Sequence, residues 1–202
     1  YKLQPGCSLV WEKGDITITP YWSIIDAYSK GENSRNNPLP FNDALNELDR
    51  LVTDATRLRM ISDVPLGAFL SGGIDSSLIT AVMQKLSDKP VKTFTIGFTD
   101  SGYDESVYAE EVSKVLSTDH TCELLPLSTA REYIDLLPEY YDEPMADQSS
   151  IATLLLSKIT RENVTVALTG DAGDELFCGY ERYGTNNGKY KIPAALLNAA
   201  NV

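Results

Sequence analysis

The segment from residue 64 to residue 86 constrains the fold of this chain more than any other. Residues 64–70 are almost entirely apolar and predict a buried strand, whereas residues 78–86 have the apolar spacing of a helix. A strand that turns over glycine into a helix directs free backbone N–H groups and the positive end of the helix dipole at one spot. This turn, a predicted phosphate-binding site, contains two glycines, an aspartate and three serines: Ser71, Gly72, Gly73, Asp75, Ser76 and Ser77.

The predicted turn is not a Walker loop, because no lysine stands between Gly72 and Lys85. The charge of a bound polyphosphate would then be balanced by the helix dipole and a metal ion. Asp75 is a candidate ligand, since Mg²⁺ favours one or two carboxylates together with phosphate oxygens. The alternative is a glycine-rich turn without a ligand, which the serines, Asp75 and the preceding apolar strand disfavour.

Composition and charge argue against several classes of function. The 202 residues carry a net charge of -12, which argues against a nucleic-acid partner, and no apolar run is long enough to span a membrane. Cys7, Cys122 and Cys178 form neither a disulfide framework nor a zinc pattern, so a reducing, cytoplasmic setting is expected. With His120 as the one histidine, a histidine-based catalytic triad is disfavoured.

The chain is predicted to have three parts and to be a piece of a longer protein. Residues 1–28 contain a β-hairpin with strands at 8–11 and 16–19. Residues 29–60 comprise a polar linker and an amphipathic helix from about residue 42, and residues 61–202 form the main domain.

The main domain alternates strands and helices, which predicts a parallel, doubly wound sheet with helices on both faces. Asp104 is expected to cap the helix over residues 104–116, with Val107, Val112 and Val115 facing inward. The other predicted strands cover residues 91–98, 119–125 and 163–168, and the other helices residues 128–137 and 149–159.

A second glycine-containing loop follows the last predicted strand and carries Asp171, Asp174 and Glu175. Ligands of such sheets bind beyond the carboxyl ends of the strands, so this loop should approach the first one. Three carboxylates so close together usually hold a cation or provide a base. They could instead complement a helix dipole: for Glu175 the two interpretations weigh equally, whereas Asp174 is predicted to bind metal.

The first loop resembles the Ser-Gly-Gly-x-Asp-Ser pyrophosphate loop of the N-type ATP pyrophosphatases. Several further motifs resemble the glutamine-hydrolysing asparagine synthetases, and together they cover residues 64–183 in family order. These motifs are Ile96-Gly97-Phe98, Tyr103-Asp104-Glu105, Thr118 with His120, Asp142-Glu143-Pro144 with Asp147 and Ser149, residues 168–180, and Arg182-Tyr183.

The resemblance implies a doubly wound parallel sheet of the PP-loop, adenine nucleotide alpha hydrolase-like kind, preceded by a β-hairpin remnant. Residues 1–28 would be the tail of an N-terminal glutaminase domain, and residues 61–202 a C-terminally truncated ATP-binding synthetase domain. The implied reaction converts aspartate to asparagine through a β-aspartyl-adenylate, which ammonia from glutamine attacks, with AMP and pyrophosphate released. The implied partners are these small molecules and, in a homodimer, a second copy.

The resemblance also implies residue roles. Leu70 and Ile96 would contact adenine or ribose, and Thr169 and Gly170 would line the nucleotide. Asp174 would be a second Mg²⁺ ligand, and Asp171 would accept a proton from the attacking ammonia. Pyrophosphate and Mg²⁺ would be held by Ser71, Gly72, Gly73, Asp75 and Ser76.

The chain departs from the family pattern at Ala172 and Cys178, where glycine is common, and the family's catalytic lysine lies beyond the matched region. Three alternatives stay open. A related amidotransferase could act on another carboxylate, such as a sugar acid or the precursor of a β-lactam. An NAD or GMP synthetase is disfavoured by the motif at residues 171–180. A non-catalytic nucleotide-binding module is the third.

Overall fold

The computed structural model describes residues 2–34, 38–99, 104–144, 147 and 149–180. The predictions for Tyr103, Arg182 and Tyr183 lie outside these residues. The chain divides into two compact units, residues 1–50 and residues 51–202. In the described part of the chain, no helix has the length and apolar character needed to cross a membrane.

The first unit begins with the predicted hairpin. Strands β1 (Cys7–Glu12) and β2 (Asp15–Pro20) pair antiparallel, so the hairpin prediction is confirmed. Lys13 and Gly14 form the connecting turn with φ values of 52° and 97°, the positive pair that suits the twist of a two-residue hairpin. Opposed residues share a face, so Leu9 with Ile18 and Trp11 with Ile16 make one face apolar.

The linker prediction is wrong over its first half, because helix α1 (Ile24–Ser34) continues to residue 34. The Asp26 N–H donates to the Ser23 hydroxyl at 3.4 Å, which caps the start of the helix. No proline interrupts these residues, and polar side chains are compatible with a solvated helix. Helix α2 (Phe41–Arg59) confirms the predicted amphipathic helix, and the boundary between the units falls within it rather than at residue 60.

The second unit contains a four-stranded parallel sheet in the order β5-β4-β3-β6. Its strands are β3 (Leu66–Phe69), β4 (Lys92–Phe98), β5 (Asp119–Leu125) and β6 (Val166–Leu168). Its helices are α3 (Ile74–Leu86), α4 (Ser106–Leu116), α5 (Leu127–Glu132), α6 (Leu137–Tyr140), α7 (Ser150–Arg161) and α8 (Gly173–Phe177). A 3₁₀ turn (Ile134–Leu136) separates α5 from α6, so the single helix predicted at residues 128–137 is divided.

The strand order makes the sheet doubly wound. From β3 the chain moves outward through β4 to β5, and then returns to pair β6 with the other side of β3. Because such crossovers are right-handed, α3 and α4 lie on one face of the sheet and α7 on the other. The predicted fold class is confirmed, and the order of the strands reverses at β3, which is where ligands of such sheets bind.

The core lies between the centre of the sheet and α3. Ala68 on β3, Met83 on α3 and Val91 are buried together, and Leu66, Ile79 and Leu168 pack against them. Leu168 is the last residue of β6, so the same core anchors the strands that precede both glycine-containing loops.

The prediction that α4 turns its valines inward is wrong for two of them. Val107 and Val115 are 55% and 84% exposed, and Val112 is half-buried. The buried residues of α4 are instead Ser106, Ala109 and Ser113. Small residues face inward because α4 packs closely against Gly72, where a Cβ would lie 2.7 Å from the backbone nitrogen of Ala109.

Candidate functional site

The first glycine loop, residues 70–77, joins β3 to α3 and presents unpaired backbone N–H groups. Gly73 caps α3 without a side-chain hydrogen bond, so in the described chain the N–H groups of Ile74, Asp75 and Ser76 have no side-chain partner. Gly72 has φ 80°, a left-handed conformation that favours glycine. A Cβ there would also lie 2.5 Å from Cβ of Tyr108, so neither the backbone nor the space admits a side chain.

The serine hydroxyls of the first glycine loop bond within the loop. The Ser71 N–H donates to Ser76 Oγ at 3.2 Å, and the two hydroxyl oxygens lie 2.9 Å apart. The Gly73 N–H donates to Ser71 Oγ at 3.2 Å, and Ser76 Oγ donates to the Gly73 carbonyl at 3.3 Å. These bonds fix the turn from inside.

Strand β4 supports the beginning of this loop. The Thr95 hydroxyl donates to the Leu70 carbonyl, and the Leu70 N–H donates to the Phe94 carbonyl at 3.0 Å. Leu70 is 1% exposed, so its side chain presents almost no surface to a ligand in this structure. Ile96 is half-buried on the same strand. No sequence signal identifies the role of Thr95, because an alternating strand pattern does not show which hydroxyl reaches a neighbouring loop.

The second glycine loop, residues 168–180, joins β6 to the short helix α8. The Asp171 N–H donates to Thr169 Oγ1 at 3.3 Å, and the Gly173 N–H donates to the Gly170 carbonyl at 3.2 Å. Further along, the Tyr180 hydroxyl donates to Glu175 Oε1 at 2.8 Å. These contacts hold the loop in a tight turn on both sides of α8.

Ala172 and Cys178, the two positions at which the resemblance leads one to expect glycine, both adopt left-handed backbone conformations. Their φ values are 72° and 58°, and they flank α8 as its N-cap and C-cap residues. A residue with a Cβ costs roughly 1 kcal/mol more than glycine in this conformation. The departure from the family pattern therefore introduces strain on both sides of α8.

The two glycine loops lie against each other, as the parallel sheet predicts. A Cβ on Gly170 would lie 2.6 Å from the Ser76 backbone nitrogen, and a Cβ on Gly173 would lie 2.7 Å from Asp75 Oδ1. Asp174, the residue after Gly173, is half-buried, whereas Asp171 is exposed. The structure thus brings the Asp75 carboxylate directly to the start of α8.

The Asp75 and Asp174 carboxylates make no hydrogen bond or ion pair with other residues of the described chain. Within the same residues, no group of three or more histidine, cysteine, aspartate or glutamate side chains could hold a metal ion. The Asp75 carboxylate, in the same turn as the uncapped N–H groups of α3, suits Mg²⁺ that arrives with phosphate, because this ion keeps most of its ligands from phosphate and water. The residues present therefore fit a phosphate-bound Mg²⁺ better than a metal held by protein alone.

A cavity of about 450 Å³ lies at the amino end of α7, which is at the same edge of the sheet as the two loops because α7 leads back into β6. Tyr141, Asp142, Glu143 and Ser150 line part of it. Next to it, Asp147 Oδ1 accepts hydrogen bonds from the N–H and the hydroxyl of Ser149, both at 2.8 Å, and these bonds lower the pKa of Asp147.

His120 lies at the opposite edge, near the amino end of β5. Its Nδ1 is 2.9 Å from Thr93 Oγ1, and Thr93 Oγ1 is also 2.9 Å from Thr118 Oγ1. Burial lowers the pKa of His120, which favours the neutral ring. The motif residues Thr118 and His120 are therefore in contact with the same threonine, away from the glycine loops.

Comparison with known proteins decides the family. The family model described as "Asparagine synthase" matches residues 47–200, which is more than half of the chain. The chain belongs to the asparagine synthase family. The match includes both glycine loops and the cavity at α7.

Two similar proteins are named as asparagine synthetases. A "putative asparagine synthetase [glutamine-hydrolyzing] 2" of Methanocaldococcus jannaschii is 37% identical over 183 residues, covering 89% of this chain and 34% of the relative. "Asparagine synthetase [glutamine-hydrolyzing] 1" of Bacillus subtilis is 34% identical over 186 residues, covering 90% of this chain and 28% of the relative. The chain thus spans about a third of the length of these curated relatives.

Two more distant similarities complete the comparison. The "amidase chry2" of Gibberella zeae is 27% identical over 204 residues, which cover 91% of this chain and 29% of that protein. Among solved structures, an NH3-dependent NAD synthetase from Campylobacter jejuni is 14% identical, with a TM-score of 0.44 over 70% of this chain and 61% of that one. Similarity at the latter level establishes no shared function.

Proposed function

We propose that the polypeptide carrying this sequence activates a carboxylate with ATP and converts it to an amide. In the first step the carboxylate oxygen attacks the α-phosphorus of ATP, forming an acyl-adenylate and releasing pyrophosphate. In the second, ammonia attacks the acyl carbon, loses a proton, and displaces AMP. The observation that carries this proposal is the contact between the two glycine loops, with Gly173 against the Asp75 carboxylate, in a member of the asparagine synthase family.

The β- and γ-phosphates would bind the first glycine loop. The N–H groups of Ile74, Asp75 and Ser76 belong to the first turn of α3, which has no side-chain cap in the described chain. Negative charge at a helix N-terminus is stabilised by the helix dipole, and the free backbone N–H groups there can donate hydrogen bonds to phosphate oxygens. The nucleoside side would be lined by Thr169 and Gly170 of the second glycine loop and by Ile96, with Leu70 behind them.

Asp75 and Asp174 would hold Mg²⁺ together with the phosphates. The ion would neutralise phosphate charge and stabilise pyrophosphate as it leaves, which matters here because the first glycine loop contains no lysine or arginine. This chain would contribute the Asp75 carboxylate. Gly173 can lie against that carboxylate because glycine has no side chain.

Asp171 would accept the proton that ammonia loses. Its side chain is exposed at the turn between β6 and α8, and its backbone N–H is tied to Thr169, so the carboxylate is placed by a fixed loop and remains accessible. The acidic cavity at α7 lies at the same edge of the sheet and is the candidate location for the acceptor substrate.

Aspartate is the proposed acceptor, and glutamine the proposed source of ammonia, because relatives that match about 90% of this chain are named as glutamine-hydrolysing asparagine synthetases. A second candidate is an amide-forming reaction on a different carboxylate. The similarity to a protein named as an amidase, over 91% of this chain, favours keeping that candidate.

The test uses the full-length polypeptide with ATP, Mg²⁺, ammonia and aspartate, and measures AMP, pyrophosphate and asparagine. Equal amounts of the three products are expected, and Asp75→Asn should reduce all three together. ADP and inorganic phosphate as products would contradict cleavage between the α- and β-phosphates. AMP formation with a different carboxylate, and none with aspartate, would establish the second candidate.

A further inference from the structure

Ser76 differs from the other loop residues because it is nearly inaccessible. It is 8% exposed, whereas Ser71 and Gly73 are exposed at the surface of the same loop. Ser76 as a whole therefore presents little surface to a ligand. Its backbone N–H, in contrast, belongs to the unpaired first turn of α3.

The hydrogen-bonding capacity of the Ser76 hydroxyl is already used inside the loop. A serine hydroxyl has one proton and two acceptor lone pairs. Ser76 Oγ accepts from the Ser71 N–H at 3.2 Å, lies 2.9 Å from Ser71 Oγ, and lies 3.3 Å from the Gly73 carbonyl oxygen. Its single proton can go to Ser71 Oγ or to the Gly73 carbonyl, and both are loop atoms.

A phosphate oxygen accepts hydrogen bonds and so needs a donor. When Ser76 donates to the Gly73 carbonyl, the Ser71 hydroxyl proton is directed at Ser76 and is not available to a ligand. When Ser76 donates to Ser71 Oγ, the Ser71 proton is released and can point outward. The geometry thus allows two proton arrangements without movement of a heavy atom, and in only one of them does Ser71 serve as a phosphate donor.

We propose that Ser76 is a positioning residue of the phosphate site: its hydroxyl braces the loop by accepting the Ser71 N–H, and turns its proton toward Ser71 Oγ so that the Ser71 hydroxyl binds the phosphate. This rests on the phosphate site proposed above and deepens it. It changes the role implied for Ser76 by the family resemblance, because the ligand contact passes to Ser71 and to backbone N–H groups.

Ser77 provides a matched control. It is the next residue of α3, and its buried hydroxyl has no hydrogen-bond partner among the described residues. Ser77→Ala removes the same atom as Ser76→Ala, one position away, but removes no hydrogen bond. The comparison therefore separates the effect of losing a hydroxyl on α3 from the effect of losing the hydrogen bonds that Ser76 makes within the loop.

The experiment measures the dissociation constant of Mg²⁺–pyrophosphate for the chain and for Ser71→Ala, Ser76→Ala, the double variant and Ser77→Ala. Each of the first two single changes should weaken binding about tenfold, a loss of about 1.4 kcal/mol, because each removes one hydrogen bond to a charged phosphate. The double variant should also be weakened about tenfold, because Ser76 acts through Ser71. Ser77→Ala should change binding less than twofold. An additive, roughly hundredfold loss in the double variant, or unchanged binding in Ser76→Ala, would overturn the proposal.

A measurement without ligand separates this proposal from the proposed function. Ser76→Ala should accelerate amide hydrogen exchange at Ser71 and Gly73 and leave the amides of β4 unchanged, and Ser77→Ala should accelerate neither. If the unsubstituted chain fails to bind pyrophosphate while this exchange pattern is found, the phosphate site is wrong and the brace stands. Unchanged exchange at Ser71 and Gly73 in Ser76→Ala overturns the positioning role even if pyrophosphate binds.

Discussion

Gly173 lies against the carboxylate of Asp75, so closely that a Cβ on Gly173 would be 2.7 Å from Asp75 Oδ1. The atom in the way is the far end of a side chain, which can rotate. Gly173→Ala should therefore leave the fold intact, displace the Asp75 carboxylate, and weaken Mg²⁺–ATP binding about tenfold, a loss of about 1.4 kcal/mol. Calorimetric titration checks the affinity, and urea unfolding checks the fold.

The matched change at Gly170 should behave differently. A Cβ there would lie 2.6 Å from the Ser76 backbone nitrogen, which cannot rotate away, so Gly170→Ala should lower stability as well as binding. Gly31→Ala on α1, where nothing lies within 4 Å, is the control: it should leave binding unchanged and raise stability by about 0.5–1 kcal/mol. If Gly173→Ala binds Mg²⁺–ATP with unchanged affinity, Asp75 does not belong to the proposed site.

Ala172→Gly should stabilise the protein. Ala172 has φ 72°, and glycine adopts this conformation without the Cβ penalty, so a gain of about 1 kcal/mol is expected. Urea unfolding measures the change. Ala167→Gly, in the extended strand β6, should instead lose about 0.5–1 kcal/mol. A loss of stability at both positions would show that the strain at Ala172 is not limiting.

Thr95→Val should destabilise the loop entrance. The substitution preserves shape but removes the hydroxyl that donates to the Leu70 carbonyl, leaving a buried acceptor without its partner. A loss of about 1–3 kcal/mol in the free energy of unfolding is expected. Thr99→Val, at an exposed residue, should stay within about 0.5 kcal/mol of the parent protein. Equal effects at the two threonines would argue against the contact.

Stability should fall as the pH is lowered through the region of histidine titration. Burial lowers the pKa of His120 from its ordinary 6.5, with the negative charge of Glu110 acting in the opposite direction. The unfolded chain then binds the proton more readily than the folded one, so the His120 contribution is fully present above pH 6.5 and is lost as the pH falls toward the lowered value. His120→Asn should remove this contribution, as measured by the difference in melting temperature across the pH range. Parallel pH profiles for the two proteins would contradict the assignment.

Asp171→Asn in the full-length polypeptide should keep ATP binding but slow amide formation. An amide cannot accept the proton that ammonia loses, and general base catalysis contributes about a hundredfold to ten-thousandfold. The assay measures AMP and amide product, with nucleotide affinity determined separately. A water between Asp171 and ammonia would place the effect at the lower end of this range. Unchanged turnover would reduce Asp171 to a residue that shapes the loop.

The sequence predicts the fold well where local pattern and topology agree. The apolar strands, the glycine turn after β3 and the alternation of strands and helices lead to the parallel sheet that the structure contains. The approach of the two glycine loops also follows, because the carboxyl ends of parallel strands share one edge. The sequence does not predict that Gly173 adjoins the Asp75 side chain, since this depends on the short turn between β6 and α8.

The wrong predictions concern which face of α4 is buried and whether the polar residues of α1 form a helix. In α4 the valines and the small residues both recur with the period of a helix, so periodicity alone does not show which set is buried. Close packing against Gly72 requires small residues, and Ala109 and Ser113 are the ones that face inward. In α1, polar residues and Gly31 resembled a linker, although a capping serine and the absence of proline permit a solvated helix. Apolar spacing identifies a helix, but it does not determine which side packs.

Because β6 pairs with β3, the sheet can be completed only after β6 has been synthesised. The first glycine loop leaves the ribosome long before Gly170 and Gly173, so it initially lacks the residues that lie against Asp75 and Ser76. Until β6 arrives, one side of β3 is an unpaired edge that is open to wrong strand pairing. Completion of the sheet therefore also brings the two glycine loops together, and a nascent chain that stops before β6 has neither.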